Sequence, residues 1–499
     1  MRKRGTIMIR ADAGELLGTG HVMRMIALAQ AWKDGGGQVH FACATCPPGV
    51  ISRLEEEGFD VCMQRVELGS TDDLEWTKEI SASASAEWVV LDGYHFGEPF
   101  QRGLRNHGLR VMAVDDCGHC ETWSAQAVIN GNLHAKGSSP VDSTCDSGTT
   151  FLYGPRFALL RREFQTTPFR QDLNNDGRMR ILVTFGGVDP PGAALRIVHA
   201  LAPVATAMAL RVRVLTGAAN TRASEFAEFA ASHTDWMELK SAVTDMPAEY
   251  AWADRIISAG GSSCLEWLRY RKPGFVVSIA QNQHPIVEAM RNQNLAFPGG
   301  RIEDYPDDVS LRSVLQDWLK RESPTPASVV DAWGAARVAA WLDGSMLFVR
   351  PVDAQNESEV RFLFELANEA SVRNAGFHND PIPWETHVDW IHRHTESPAS
   401  LLLCGEHHEL GRCAFLRFHQ RAERDWEVGI AVTPESRGRG IARAVVDRGI
   451  HLLRSLHSDI RILAVVKPDN EPSMALFRSL SFRKGPLLNS VSGFTFELP

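Results

Sequence analysis

Up to about residue 280, short apolar runs alternate with stretches of helical spacing. Runs at 6–10, 38–43, 87–91, 110–114 and 125–129 form one set, and runs at 180–184, 211–215, 255–258 and 274–279 form a second. Such runs, separated by amphipathic segments, predict buried parallel strands joined by right-handed helical crossovers. The polar stretch 166–176, with Pro168 and Asn174-Asn175-Asp176, has the composition of a linker between the two sets. Two Rossmann-like domains facing each other across a cleft follow, at 1–165 and 178–342, the second closing on a helical stretch at 331–342. The pattern then changes. A strand at 347–352 and a helix at 357–368 lead to strands at 400–404, 412–417, 426–432 and 461–466, interrupted by a helix at 442–456. That is a separate α+β domain over 346–499, so the fold class is α/β followed by α+β.

Candidate chemistry sits where strands meet helices. Arg10-Ala11-Asp12 follows the first strand, then Gly18-Thr19-Gly20-His21 and Arg24 at the start of a helix expected at 21–32. Glycines at such a turn admit a ligand close to the backbone, and a neutral histidine there can take a proton near pH 7. A cap for the helix is the plainer role for His21. The second half offers Gly186-Gly187 and Asp189, then Gly260-Gly261-Ser262-Ser263 with Glu266 one turn into a helix, then Asn282-Gln283. Small residues and hydroxyls at helix starts can cradle a diphosphate, and a glutamate so placed can accept from ribose hydroxyls. The same residues also suit tight strand-to-helix turns. No P-loop lysine motif accompanies them.

In combination, Arg10-x-Asp12, Gly18-Thr19-Gly20-His21 with Arg24, Leu91-Asp92-Gly93-Tyr94, Val114-Asp115-Asp116, Gly186-Gly187-x-Asp189, Gly260-Gly261-Ser262-Ser263 with Glu266, and Asn282-Gln283 resemble one family. It is the UDP-2,4-diacetamido-2,4,6-trideoxy-β-L-altropyranose hydrolases of pseudaminic acid synthesis, and the resemblance covers about residues 5–340. It implies a GT-B fold similar to that of the MurG glycosyltransferase, with the sugar transferred to water and no metal. His21 is then the general base on a water attacking C1, with Asp12 orienting nearby groups and Tyr94 and Asn282 near the sugar. Gly20, Arg24, Gly187, Gly261, Ser262, Ser263, Glu266 and Gln283 are the expected UDP-sugar contacts.

In the last domain, the strand 426–432 runs through Thr433-Pro434-Glu435-Ser436 into Arg437-Gly438-Arg439-Gly440-Ile441-Ala442 and a long helix. Successive amides at a glycine-rich helix start form a pyrophosphate cradle, although a basic turn capping a surface helix reads the same way. The loop resembles the acetyl-CoA loop of GCN5-related N-acetyltransferases (GNAT), through Arg437, Gly440 and Ala442, and Asn470 with Ser473 matches that family's second coenzyme segment. The segment from Arg373 to Trp390 is similar to acetyltransferases acting on nucleotide-linked amino sugars. The resemblance implies acetyl-CoA as acyl donor, with Glu427 as candidate base. Where many members carry a tyrosine that protonates the leaving thiolate, this chain has Phe477.

Composition narrows the field further. Charged residues make up 23% and hydrophobic residues 44%, with a net charge of −9, which argues against an electrostatic nucleic-acid binder. No apolar run reaches the ~20 residues of a membrane span, and the basic start at Arg2-Lys3-Arg4 lacks a signal core. Nine scattered cysteines suit a reducing, cytoplasmic setting. Cys43-Ala44-Thr45-Cys46 and Cys117-Gly118-His119-Cys120 are C-x-x-C pairs, but they lie too far apart for a zinc ribbon. Asp115-Asp116 beside the second pair disfavours a thiolate. No metal or redox role is expected. The expected function is a bifunctional enzyme of pseudaminic acid biosynthesis. It acetylates a UDP-4-amino sugar and then removes UDP, with UDP-linked sugar and acetyl-CoA as partners and neither nucleic acid nor membrane. The alternatives are a GT-B glycosyltransferase fused to an acetyltransferase, or one half acting as a non-catalytic binding module.

Overall fold

The computed structural model describes residues 4–14, 17–135, 148–166, 176–187, 189, 191–217, 220–241, 243–488 and 493–498. Most of the expected linker, 167–175, lies outside them. The chain divides into two compact units, Met1–Ala339 and Ala340–Pro499.

The first unit holds two parallel sheets. One is built from β1 (Thr6–Ala11), β2 (Gln38–Cys43), β3 (Asp60–Met63), β4 (Ala86–Asp92), β5 (Arg110–Val114), β6 (Ala127–Asn130) and β7 (Thr150–Tyr153), in the order β3-β2-β1-β4-β5-β6-β7. The other is built from β8 (Met179–Thr184), β9 (Leu210–Thr216), β10 (Met237–Ser241), β11 (Arg255–Ala259), β12 (Gly274–Ser278) and β13 (Phe297–Arg301), in the order β10-β9-β8-β11-β12-β13. Every residue of β1 and of β12 is buried, because helices cover both faces of these sheets. The two Rossmann-like sheets expected from the patterning are therefore present. In both, strand order reverses at the centre, between β1 and β4 and between β8 and β11. Ligands bind at such a switch point, outside the carboxyl ends of the strands. Of the residues singled out in the sequence, His21, Tyr94, Gly187 and the 260–266 group follow those four strands, while Asp115-Asp116 and Asn282-Gln283 follow the neighbouring β5 and β12.

The helix Gly334–Leu342 begins in this unit, where its first residues pack on the first sheet's side. Gly334 packs so closely on Ala158 that a Cβ would stand 2.2 Å from its carbonyl oxygen, and Arg337 donates to the Arg156 carbonyl at 2.8 Å.

The second unit is one mixed sheet of β14 (Leu347–Pro351), β15 (Ser400–His407), β16 (Gly411–Gln420), β17 (Asp425–Val432), β18 (Arg461–Val466), β19 (Arg483–Leu488) and β20 (Gly493–Leu498), in the order β14-β15-β16-β17-β18-β20-β19. Neighbours are antiparallel except β17 and β18. One face packs on the helix Ile441–Leu456, whose Val445, Val446 and Leu453 are fully buried. The other is covered by the helices Glu357–Asn368 and Trp384–Thr395, the latter not foreseen in the sequence. Arg350 on β14, itself buried, reaches Glu359 at 2.6 Å and Glu406 at 2.7 Å, fixing the first of these helices to the sheet.

Candidate functional site

At the switch point of the first sheet, β1 and β4 deliver two halves of one device. The helix Gly20–Asp34 starts directly after the glycine turn, with Gly18 in the left-handed region at φ 71°. Its second residue, His21, is 7% exposed and places Nδ1 2.7 Å from Oδ1 of Asp92, the last residue of β4. Arg24, one turn on, holds the same carboxylate through two contacts of 2.5 Å and reaches Asp116 at 2.6 Å. Burial opposes charge on Asp92, but Arg24 and His21 outweigh it and bring its pKa down to about 2. With Nδ1–H donating to the ionised Asp92, Nε2 is the nitrogen left to take a proton; Arg24 Nη2 also stands 3.1 Å from Nδ1. Nε2 has no hydrogen-bond partner among the described residues. This is the orienter–base geometry of general-base catalysis.

Tyr94 stands edge-on to His21, with ring centroids 5.0 Å apart, and its hydroxyl accepts from Asn282 Nδ2 of the second sheet's side at 3.3 Å. Burial, with Asp116 next, pushes the Tyr94 phenol well above its ordinary value, so it stays neutral. A cleft of about 580 Å³, open to solvent, runs between the two sides. Gly20, Arg24 and Asp116 line it from one side and Ser262, Leu265 and Glu266 from the other. Gly187 meets Thr19 across the same gap, where a Cβ would come within 2.9 Å of the threonine hydroxyl. His21, Tyr94, Asn282, Gly20, Arg24, Gly187, Ser262 and Glu266 are thus brought together. Ser263 opens the short helix Ser263–Leu268 beside Ser262, and Gln283 lies over Gly261 while accepting from the Ile279 amide at 2.9 Å.

Three predicted residues are occupied in ways the sequence does not reveal. Asp12 is buried, with Oδ1 accepting from the Ala44 and Thr45 amides at 2.7 and 3.0 Å and Oδ2 from Arg10 at 2.6 Å. Burial raises its pKa, but His95, Arg10 and those amides together hold it below the usual carboxylate range. Its bonds pin the turn after β2 rather than reach His21. Arg24 is committed to Asp92 and Asp116. Glu266 accepts from the Tyr250 hydroxyl at 3.0 Å and pairs with Arg161 at 3.3 Å. Burial raises its pKa against the pull of Arg161. Asp92, present in the Leu91-Asp92-Gly93-Tyr94 motif but without an assigned role because its partner lies 71 positions away, and Arg161, absent from the sequence reading, are the functional candidates the structure adds.

Beside Tyr94, Asp115, Cys117 and His119 bring potential metal-ligand atoms within 4.8 Å of one another. Asp115 Oδ1, however, accepts from the amides of Cys117, Gly118 and His119 and from His119 Nδ1, as a loop cap does. Burial, then Asp116 and Asp115, raises the Cys117 thiol to about 11, so it is protonated at neutral pH.

In the second unit, β17 pairs with β18 only at Asp425–Arg461, Trp426–Ile462 and Glu427–Leu463. Beyond Glu427 the two strands separate, opening a wedge in the sheet. β17 then leads through Pro434–Ser436 into a turn where Gly438 and Gly440 adopt φ of 72° and 75°. The helix that follows begins at Ile441, then Ala442, with no side-chain cap, so its first amides are free for an anion. Arg437 is turned toward Glu369 at 2.9 Å, and Arg439 is exposed. Asn470 caps the helix Glu471–Ser479 by accepting from the Ser473 amide at 3.1 Å, a structural task for both residues. Glu427 pairs with Arg421 at 2.9 Å at the mouth of the wedge. Phe477 is buried against Phe482 and Phe496, so this position serves the core.

The acetyltransferase (GNAT) family model matches residues 361–482. The C-terminal unit carries a GNAT acetyltransferase domain. An uncharacterized protein of Methanocaldococcus jannaschii is 20% identical to this chain over 489 residues, covering 96% of each. The UDP-2,4-diacetamido-2,4,6-trideoxy-beta-L-altropyranose hydrolase of Campylobacter jejuni is 21% identical over 236 residues, 46% of this chain and 76% of that protein. Among solved structures, MurG of Acinetobacter baumannii superimposes with a TM-score of 0.48 at 14% identity, over 68% of this chain and 99% of that one. The chain thus joins a region homologous to a UDP-sugar hydrolase to an acetyltransferase domain. Among the described residues, no helix is long and apolar enough to cross a membrane.

Proposed function

We propose that the chain is a bifunctional nucleotide-sugar enzyme. Its first unit hydrolyses UDP-2,4-diacetamido-2,4,6-trideoxy-β-L-altropyranose to UDP and free sugar. Its acetyltransferase domain N-acetylates the preceding UDP-4-amino sugar with acetyl-CoA. The observation that carries the hydrolase half is the His21–Asp92 couple at the switch point, beside a cleft lined by its neighbours Gly20 and Arg24 whose far wall holds Ser262 and Glu266. The homologous Campylobacter jejuni hydrolase supplies the substrate class.

In this reading the second sheet's turns hold UDP, and Asn282 with Tyr94 flanks the sugar. His21 Nε2 removes a proton from water as the water's oxygen attacks C1 and the C1–O bond to UDP breaks, with inversion. Asp92 stabilises the imidazolium that forms. General-base help of this kind is typically worth about 10²–10⁴ in rate. In the second unit the amine attacks the thioester of acetyl-CoA lying in the β17–β18 wedge. Glu427 receives the ammonium proton, directly or through water, and CoA leaves. Cytoplasmic pseudaminic acid biosynthesis is the setting this chemistry suits.

The test uses the full chain, the UDP-4-amino sugar and acetyl-CoA in buffer without a second sugar. Sequential appearance of CoA, UDP and free diacetamido sugar, with C1 inverted when first released, is expected. UDP release that waits for an added sugar acceptor would replace the hydrolase by a glycosyltransferase.

A further inference from the structure

Arg417 occupies an unusual place in the acetyltransferase unit. It lies on β16 between Phe415 and His419, on the sheet face covered by the helices Glu357–Asn368 and Trp384–Thr395. Its strand partner is Gly429 on β17, two residues beyond Glu427. A Cβ at 429 would stand 2.6 Å from Arg417 Nε, so the glycine is what leaves room for the guanidinium. Around it stand the Trp390 ring, 5.9 Å from the guanidinium carbon, and the cations Arg373 and Arg421. Among the described residues its guanidinium makes no hydrogen bond or ion pair, although it remains open to solvent. Glu427, the neighbouring carboxylate, is already paired with Arg421. Arg373 adds a second unmet donor: its Nη2 donates to the Asp380 carbonyl at 2.6 Å, while its Nε is buried without a partner.

Arg417, Arg373 and Arg421 bring three guanidinium groups around one carboxylate, Glu427, and leave a net positive cluster that an anion would complete. Burial depresses the Arg417 pKa against the pull of Glu427, with Arg421 and Arg373 adding to the depression. A polycationic acceptor such as a polyamine would meet like charge here.

We propose that Arg417, assisted by Arg373, is the anchor for the diphosphate of the acetyl acceptor. The inference rests on the acetyl-transfer reading above and adds to it a residue that selects nucleotide-linked amines over free ones. Guanidinium–phosphate contacts orient as well as attract, so the anchor would fix the amine beside Glu427.

The experiment has two arms, both on the full chain with Arg417→Gln and Arg417→Lys. In the kinetic arm, acetyl transfer is followed by CoA release with three acceptors: the UDP-4-amino sugar, the same sugar without UDP, and spermidine. Arg417→Gln should lower kcat/KM for the UDP-linked acceptor tenfold to a hundredfold, roughly, through KM, and Arg417→Lys should recover part of it. KM for acetyl-CoA and turnover of the free sugar should stay within about twofold. A rise in the acetyl-CoA KM instead, or spermidine turnover equal to that of the UDP-linked sugar, would overturn the assignment. In the binding arm, calorimetry with UDP should count two sites in the wild type and one in Arg417→Gln, the remaining site reporting an intact first unit. Equal counts in both proteins would overturn it whether or not any acceptor is acetylated. If no amino sugar is acetylated, the acetyl-transfer reading falls, and the UDP count still decides the site.

Discussion

Asp92 carries more of the first site than its single position suggests. It is fully buried, it terminates β4, and it is the shared acceptor of His21 and Arg24. Removing one partner from a buried charge set leaves the others uncompensated, at about 3–5 kcal/mol. Asp92→Asn keeps the shape but loses the charge and presents an amide to Nδ1. It should lower the unfolding free energy by about 3 kcal/mol and cut UDP release by about 10² or more, with sugar binding less affected. Denaturant unfolding and single-turnover kinetics check the two effects. His419 carries a pH signature in the other unit. Burial first, then Arg417 and His394, bring its pKa down to about 4, so the folded state prefers it neutral. The unfolded chain takes up that proton near pH 6.5. The stabilisation is therefore fully present above pH 6.5 and is lost as pH falls through 6.5 toward 4. Thermal unfolding of wild type should lose stability more steeply across that window than His419→Gln, and parallel curves would remove the assignment.

Among elements, the turns after β8 and β9 pack backbone on backbone. A Cβ on Gly217 would stand 2.3 Å from the Gly187 carbonyl oxygen, with no flexible side chain to yield. Gly217→Ala should push the Gly186-Gly187 turn toward Thr19, raise KM for the UDP-sugar several-fold and lower Tm by a few degrees. Steady-state kinetics with a melting curve would detect both. The elements also explain what could be read from sequence. Central strands such as β1, β4, β8 and β11 are buried on both faces and announce themselves as apolar runs. The strands missed in the first unit, β3, β7, β10 and β13, are the four sheet edges. β3 reads Asp60-Val61-Cys62-Met63, none of them fully buried, and β13 carries Pro298, Gly299 and Gly300. An edge position buries less, so less apolar pattern is needed to hold it. The site was legible to the same depth. His21 shows at its glycine turn, whereas Asp92 and Arg161 gain meaning only from partners that the fold brings near. Asp12 and Asn470 look functional in sequence because turn and cap positions favour the same polar residues as ligand sites.

At the scale of the whole molecule, the proposed reading gives the two units complementary chemistry on one chain. The second would make the N-acetyl group that completes the substrate of the first. Linkage keeps an intermediate near its next site without any new contact. In the proposed reading each half has its own base, His21 or Glu427, so loss of one should stop the sequence at a definite intermediate. The central claim is that His21, oriented by Asp92, activates water against C1. The most direct measurement is UDP release from UDP-2,4-diacetamido-2,4,6-trideoxy-β-L-altropyranose, followed by NMR for the full chain and for His21→Ala. Release of UDP and free sugar by the wild type, slowed about 10²–10⁴-fold in the variant with CoA release from the amino sugar unchanged, is the predicted result. Equal UDP release by both proteins would contradict it.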